Sequence, residues 1–246
     1  MDTNKSKYDF NDLVEIIKIL RSPDGCPWDK VQTHESLKSN LIEESYEFLS
    51  EIDKNNIDGM KEELGDVLLQ VVMHAEIAKS DEEFDIDDVI DGIAKKMIFR
   101  HPHVFATEKA ENVDNAYDIF KKQKEKEKHF TKQVDVLKSI PDSFPALMKS
   151  EKIINKLYKM YPDFAEKHKE QILVKLKEEV QDLDEGVSEE QIGKIMMDLV
   201  VLSKKMDIEP EIALAKCSKA IIDKFEEMED NGENLGLRME NLEKLL

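Results

Sequence analysis

Four carboxylates stand in two pairs of equal spacing, Glu44 with Glu47 and Glu63 with Asp66. On an α-helix, residues three apart differ by about 60° in azimuth and one turn in height, so both side chains of a pair reach a common ion. The segment KNNIDG between the pairs supplies Asn and Gly breakers, and a short turn there makes the flanking helices antiparallel neighbours. Four carboxylates from two facing helices form an oxygen-only cage. Such a cage suits Mg²⁺ or Mn²⁺, whereas zinc sites usually include Cys or His. A merely solvated acidic face would show the same spacing. Against that, Asp66 and Glu76 are the only charged residues from Leu64 to Ala78, and apolar side chains run almost all the way round, as in a buried helix. An unpaired Asp66 in such surroundings is costly, so it needs a partner, and a cation serves. Glu43 points about 100° away from Glu44 and is a candidate supporting group or base rather than a ligand.

Other residues with chemical potential are each matched by a plainer reading. His74 lies about two turns beyond Asp66 on the same helix, where a hydrogen-bonded core histidine is the ordinary case. Lys96 and Arg100 share a helix face at i, i+4 and can hold phosphates, although exposed basic pairs are usually only solvated. Trp28 and Tyr117 can stack on a base or fill loop and core contacts. No P-loop, no GxGxxG and no Ser-His-Asp order is present.

These residues need rigid helical supports, and the apolar periodicity supplies them. Leu13, Ile16, Ile17 and Leu20 predict a helix over Phe10 to Leu20, with Asn11 as its cap. The stretch from Arg21 to Thr33 holds Pro23, Gly25 and Pro27 and reads as a structured loop. Helices are expected over 36–52, 60–79 and 86–100, the last stopping before Pro102. KKQKEKEK at 121–128 is nearly all charged, which marks a solvated helix end or a linker and a domain boundary nearby. Beyond Pro141 and Pro145, helices are expected over 146–160, 171–184, 189–206 and 210–230.

Within the second half, the acidic cluster returns. Leu41 to Glu47 is echoed by Leu176 to Asp182, 135 residues further on, and Asp66 is echoed by Asp198 at an offset of 132. Two similar offsets in the same order point to duplication. The expected architecture is therefore all-α, with two tandem helical-bundle domains over 1–128 and 129–246.

Composition narrows the partners. A net charge of −19 disfavours DNA, RNA and anionic membranes, whose binding rests on neutralisation by Lys and Arg. A phosphate-bearing ligand would need a metal to bridge it. Cys26 and Cys217 make no metal-ligand pair, the first residues lack a signal-peptide apolar stretch, and no run approaches a membrane span. A soluble, cytoplasmic protein is expected.

CPWD at 26–29, QTHESL at 32–37, LIEESYE at 41–47, EELGDVLLQVVMHA at 62–75 and RHPHVF at 100–105 closely resemble the first domain of the MazG family of nucleoside triphosphate pyrophosphohydrolases. PALMKSEKI at 145–153 and KLKEE at 175–179 extend a weaker resemblance into the second half. The family pattern is EExxE followed by ExxD. The first copy keeps it as Glu43, Glu44, Glu47, Glu63 and Asp66, whereas the second keeps Glu178, Glu179, Asp182 and Asp198 but has Ile195 in place of one carboxylate. The family's basic motif in the final helix is replaced by Ser218, Ala220 and Lys224, which removes most of the expected phosphate contacts. The resemblance implies Mg²⁺-dependent hydrolysis of a nucleoside triphosphate to monophosphate and pyrophosphate, with Glu44, Glu47, Glu63 and Asp66 as metal ligands in the first copy. It also implies that Asn40 touches substrate near the metal, that Lys96 and Arg100 meet phosphates, and that Tyr117 takes the place of a base-stacking Trp, with Lys121 beside it. A homodimer is implied, and the second copy is read as degenerate and structural, or as binding nucleotide weakly. Two readings compete. One is another phosphohydrolase on the same scaffold, acting on phosphoribosyl-ATP or dUTP, which CPWD and RHPHVF disfavour. The other is a catalytically silent helical module that senses nucleotide or binds a partner, which the complete carboxylate set of the first copy disfavours.

Overall fold

The computed structural model describes residues 3–127, 132–183 and 187–230. Every regular element among them is a helix, and none is long and apolar enough to cross a membrane. The chain divides into two compact units, Met1–Lys128 and His129–Leu246.

The first unit is built from α1 (Phe10–Arg21), α2 (Pro27–Lys30), α3 (Lys38–Asp53), α4 (Ile57–Ser80), α5 (Ile86–Arg100), α6 (Pro102–Phe105) and α7 (Val113–Glu127). Asp9, not Asn11, caps α1: its carboxylate accepts from the Asp12 amide while Asp12 accepts in return from the Asp9 amide, the reciprocal bonding of a capping box. The segment expected as a loop contains one helical turn, α2, started by Pro27. It is pinned by Arg21, whose Nη1 donates to the carbonyls of Asp29 at 2.6 Å and Gln32 at 3.2 Å.

Between α3 and α4 the turn is shorter than the breakers suggest. Asn55 takes a left-handed φ of 53°, and the Asn56 side chain caps α4 by accepting from the Gly59 amide at 3.2 Å. Gly59 thus belongs to the helix rather than the turn. A Cβ there would meet the Glu51 carboxylate and the Asn56 amide, which bond to each other at 2.6 Å over this turn, so glycine leaves that side-chain pair room.

The core of this unit gathers Ile17, Leu37, Val72, Met73 and Ile77, with Phe10, Leu13, Val14, Leu20, Leu69 and Ile86 packed against them. It therefore surrounds only the C-terminal half of α4. The N-terminal half pairs with α3 but leaves Leu64 and Leu68 exposed, as the next turn leaves Val71 and α3 leaves Ile42, Tyr46 and Leu49. The expectation that α4 is buried all round fails for this half, and Asp66 is half-buried rather than enclosed.

In the second unit α8 (Gln133–Lys138), α9 (Ala146–Met160), α10 (Pro162–Gln181), α11 (Glu189–Lys205) and α12 (Pro210–Asp230) follow in order. Helix α10 starts nine residues before the expected Gln171, at Pro162. Ala165 and Ile172 face the core with Ile154, Tyr158 and Val201, but the polar residues between them hide the periodicity. Lys128 and Asp184, at the ends of two expected segments, lie outside the described residues.

Candidate metal centre

Glu44 projects from α3, and Glu63 and Asp66 project one turn apart from α4. All three are half-buried, and one oxygen of each lies within 4.8 Å of the other two. Opposite ligands of an octahedral Mg²⁺ are about 4.2 Å apart, so small side-chain adjustments bring the three onto one ion. Burial raises the Glu44 carboxyl above the usual carboxylate range, and the charges of Asp66, Glu47 and Glu43 add to it. Glu63 is raised in the same way by burial, then by the charges of Glu47, Asp66 and Glu62, and by a hydrogen bond with Glu47. Carboxylates that resist ionising because they are buried and have like charges nearby are relieved by a cation, and an all-oxygen set suits a hard one.

Glu47 stands outside the group of three, on the exposed side, and its charge adds to the raising of both Glu44 and Glu63. Glu43 is exposed, as its azimuth on α3 requires. Asn40 is half-buried one turn before Glu44, on the same side of the helix.

The expected phosphate and base contacts lie on other elements. Lys96 and Arg100 are half-buried on α5. The Arg100 guanidinium is engaged within the chain: its Nε and Nη2 donate to Glu127 Oε2 at 2.8 and 2.7 Å, and its plane lies 5.5 Å from the centre of the Phe120 ring. Tyr117 is 58% exposed on α7, with Lys121 Nζ 4.7 Å above its ring, a cation–π contact of adjacent turns. Trp28 is 60% exposed on α2. Sequence reasoning had no signal for α7 beyond its charged end, because the helix is polar on most of its surface. Its start is fixed by Asn112, whose side chain accepts from the Asn115 amide at 2.8 Å.

One pairing was not legible at all. His34 and His74 meet through their Nδ1 atoms at 2.7 Å with ring planes 4° apart. One ring must donate and the other accept, so at least one is neutral. Burial lowers His74 below the ordinary histidine range, and the charge of His34 adds to the effect. The pair clasps the segment before α3 to α4. His74 is thus satisfied, as a core histidine would be, but by a partner 40 residues away and from a half-buried position.

Comparison with known proteins places the chain in a family. The sequence model described as the MazG nucleotide pyrophosphohydrolase domain matches residues 32–105, a span that includes Glu44, Glu63 and Asp66. A Thermotoga maritima protein named nucleoside triphosphate pyrophosphohydrolase/pyrophosphatase MazG is 41% identical over 237 residues, covering 95% of this chain and 90% of that protein. The Escherichia coli K12 nucleoside triphosphate pyrophosphohydrolase is 33% identical, covering 92% and 89%. The crystal structure of a mazG-related protein from Thermotoga maritima aligns with a TM-score of 0.41 at 31% identity, over 47% of this chain and 98% of that one. With similarity along nearly its whole length and the acidic EExxE and ExxD residues in place on α3 and α4, the chain belongs to the MazG nucleotide pyrophosphohydrolase family.

Proposed function

We propose that this protein hydrolyses nucleoside triphosphates to monophosphate and pyrophosphate with Mg²⁺ or Mn²⁺, and that the first unit does so. The observation that carries the reading is the convergence of Glu44, Glu63 and Asp66 on one point, where burial and neighbouring charge raise the carboxyl groups of Glu44 and Glu63. The relatives named as pyrophosphohydrolases along nearly the same length support the reaction class. A divalent cation held there would supply charge neutralisation at the phosphate oxygens and activation of water. Glu44, Glu63 and Asp66 would hold it, with Glu47 beside them as the fourth candidate ligand. Asn40, one turn from Glu44, offers an amide to the phosphates. Glu43, on the adjacent face, is the candidate proton acceptor. Arg100 meets a phosphate by exchanging Glu127 for it, and Lys96 adds a second charge from the same helix. Tyr117 and Trp28 offer exposed rings to the base, and Lys121 stays beside Tyr117.

The open apolar side chains of the α3–α4 pair, Ile42, Tyr46, Leu49, Leu64, Leu68 and Val71, support a homodimer, since contiguous exposed apolar surface marks an interface. The test of the activity is product analysis. Incubation with a panel of nucleoside triphosphates and Mg²⁺ is expected to release monophosphate and pyrophosphate together, and chelation is expected to stop it. Orthophosphate and diphosphate as first products, or metal-independent turnover, would defeat the proposal. Light scattering at micromolar concentration tests the dimer, which a monomeric mass would sink.

A further inference from the structure

The second unit repeats the register of the first with two changes of charge. Asn40, Glu44 and Asp66 have their counterparts in Lys175, Glu179 and Asp198, at the offsets of 135, 135 and 132 residues that define the repeat. The place of Glu63 is taken by Ile195. Lys175 Nζ donates to Asp198 Oδ1 at 2.8 Å and lies 3.5 Å from Glu179 Oε1. Asp198 is only 2% exposed, so its charge must be met inside the protein. Burial works against the charge on Lys175, but the hydrogen bond and charge of Asp198, followed by Glu179, outweigh it and hold the ammonium above its ordinary range.

We infer that the Lys175 ammonium occupies, in the second unit, the place of the divalent cation in the first, so that this unit neutralises its own carboxylates and takes no metal. The inference rests on the proposed metal centre of the first unit. The donor set does not fit Mg²⁺ as the first one does: one carboxylate is replaced by an apolar side chain, and a fixed cation already sits between the other two. Asp198 Oδ2 and Glu179 Oε2 remain buried without a hydrogen-bond partner. A single ammonium standing between two carboxylates leaves such oxygens over, because its one charge and few donors do less than a dication would.

Mn²⁺ bound to the full chain, counted from the resonance of the free ion at neutral pH, tests the inference. The Asp66→Asn chain is expected to lose the sub-millimolar binding of the parent, and the Asp198→Asn chain to keep it. An ion that persists in Asp66→Asn and vanishes when Asp198→Asn is added overturns the inference. An ion that persists in the double variant supports it and counts instead against the assignment of Asp66 as a ligand. Thermal unfolding gives a readout that involves no metal. Lys175→Met strands the Asp198 charge and is expected to lower Tm by about 10 °C, with most of the loss recovered in Lys175→Met/Asp198→Asn. A Tm for Lys175→Met within about 2 °C of the parent would overturn the inference. Should that variant fail to fold, the Mn²⁺ count, which leaves Lys175 in place, still decides.

Discussion

Helices α3 and α4 of the first unit and α10 and α11 of the second carry related sequences in the same order, but they solve the electrostatic problem of facing carboxylates in different ways. In the first, Glu44, Glu63 and Asp66 are half-buried and reachable from solvent, and burial, followed by neighbouring carboxylate charge, raises Glu44 and Glu63. In the second, Asp198 is enclosed and Lys175 reaches in to meet it. A centre that must exchange an ion and a substrate has to leave its charges unpaired by the protein and open, at a cost in stability. A structural ion pair can be closed, because nothing enters or leaves. The contrast depends on one position above all: Asn40 in the first copy, Lys175 in the second.

The sharpest way to break this contrast is to disable each copy in turn. Glu63→Ala or Asp66→Asn is expected to reduce pyrophosphate release by about a thousandfold or more, because the cation loses a charge that holds and polarises the triphosphate. Asp198→Asn is expected to leave turnover within about twofold of the parent, with circular dichroism confirming that each variant is folded. Loss of activity on Asp198→Asn and its survival on Asp66→Asn would place catalysis in the other unit.

A smaller effect is expected in the response to metal. Glu44 and Glu63 sit above their usual value of 4.5 in the metal-free fold. Their stabilising contribution is therefore complete below about pH 4.5 and is lost as pH rises through the raised values, where the ionised groups repel. Mg²⁺ binds the ionised form, so it should stabilise more at pH 7 than at pH 5. At roughly a hundredfold excess over Kd the rise in Tm at pH 7 should be about 5–10 °C, measured against metal-free protein at the same pH so that the His34–His74 pair cancels. Asp66→Asn should abolish the rise and Asp198→Asn should not. Equal rises at both pH values would remove the carboxylates from the account.

Smaller still are the expected effects of the peripheral contacts. Arg100→Ala should raise KM about tenfold, since a charge-assisted phosphate contact is lost, with the released Glu127 adding repulsion. Tyr117→Trp, which enlarges the exposed ring without changing its place, should change KM by about threefold at most and lower it if the ring stacks on the base. An unchanged KM for Arg100→Ala would mean that the Glu127 pair persists with substrate bound.

Much of this arrangement was legible in the chain itself. The i, i+3 spacing of Glu63 and Asp66, and the short turn between two helical stretches, dictate that carboxylates from α3 and α4 meet, because helical geometry is local and nearly invariant. The periodic helices, α1, α9 and α11, were readable within a residue or two for the same reason. Helix α7 and the first half of α10 were not, since their apolar positions are too sparse to set a period and their starts depend on Asn112 and Pro162. Tertiary structure alone decided how buried each carboxylate is, that Glu47 stands outside the group of three, that His34 meets His74 across 40 residues, that Glu127 engages Arg100, and that Lys175 closes on Asp198. Each of these depends on where a long, flexible side chain ends among neighbours from other helices, and no pattern along one helix encodes that. The sequence carried the spacing of the charges, and packing determined which charges face a cation of the protein's own and which remain open to one from solution.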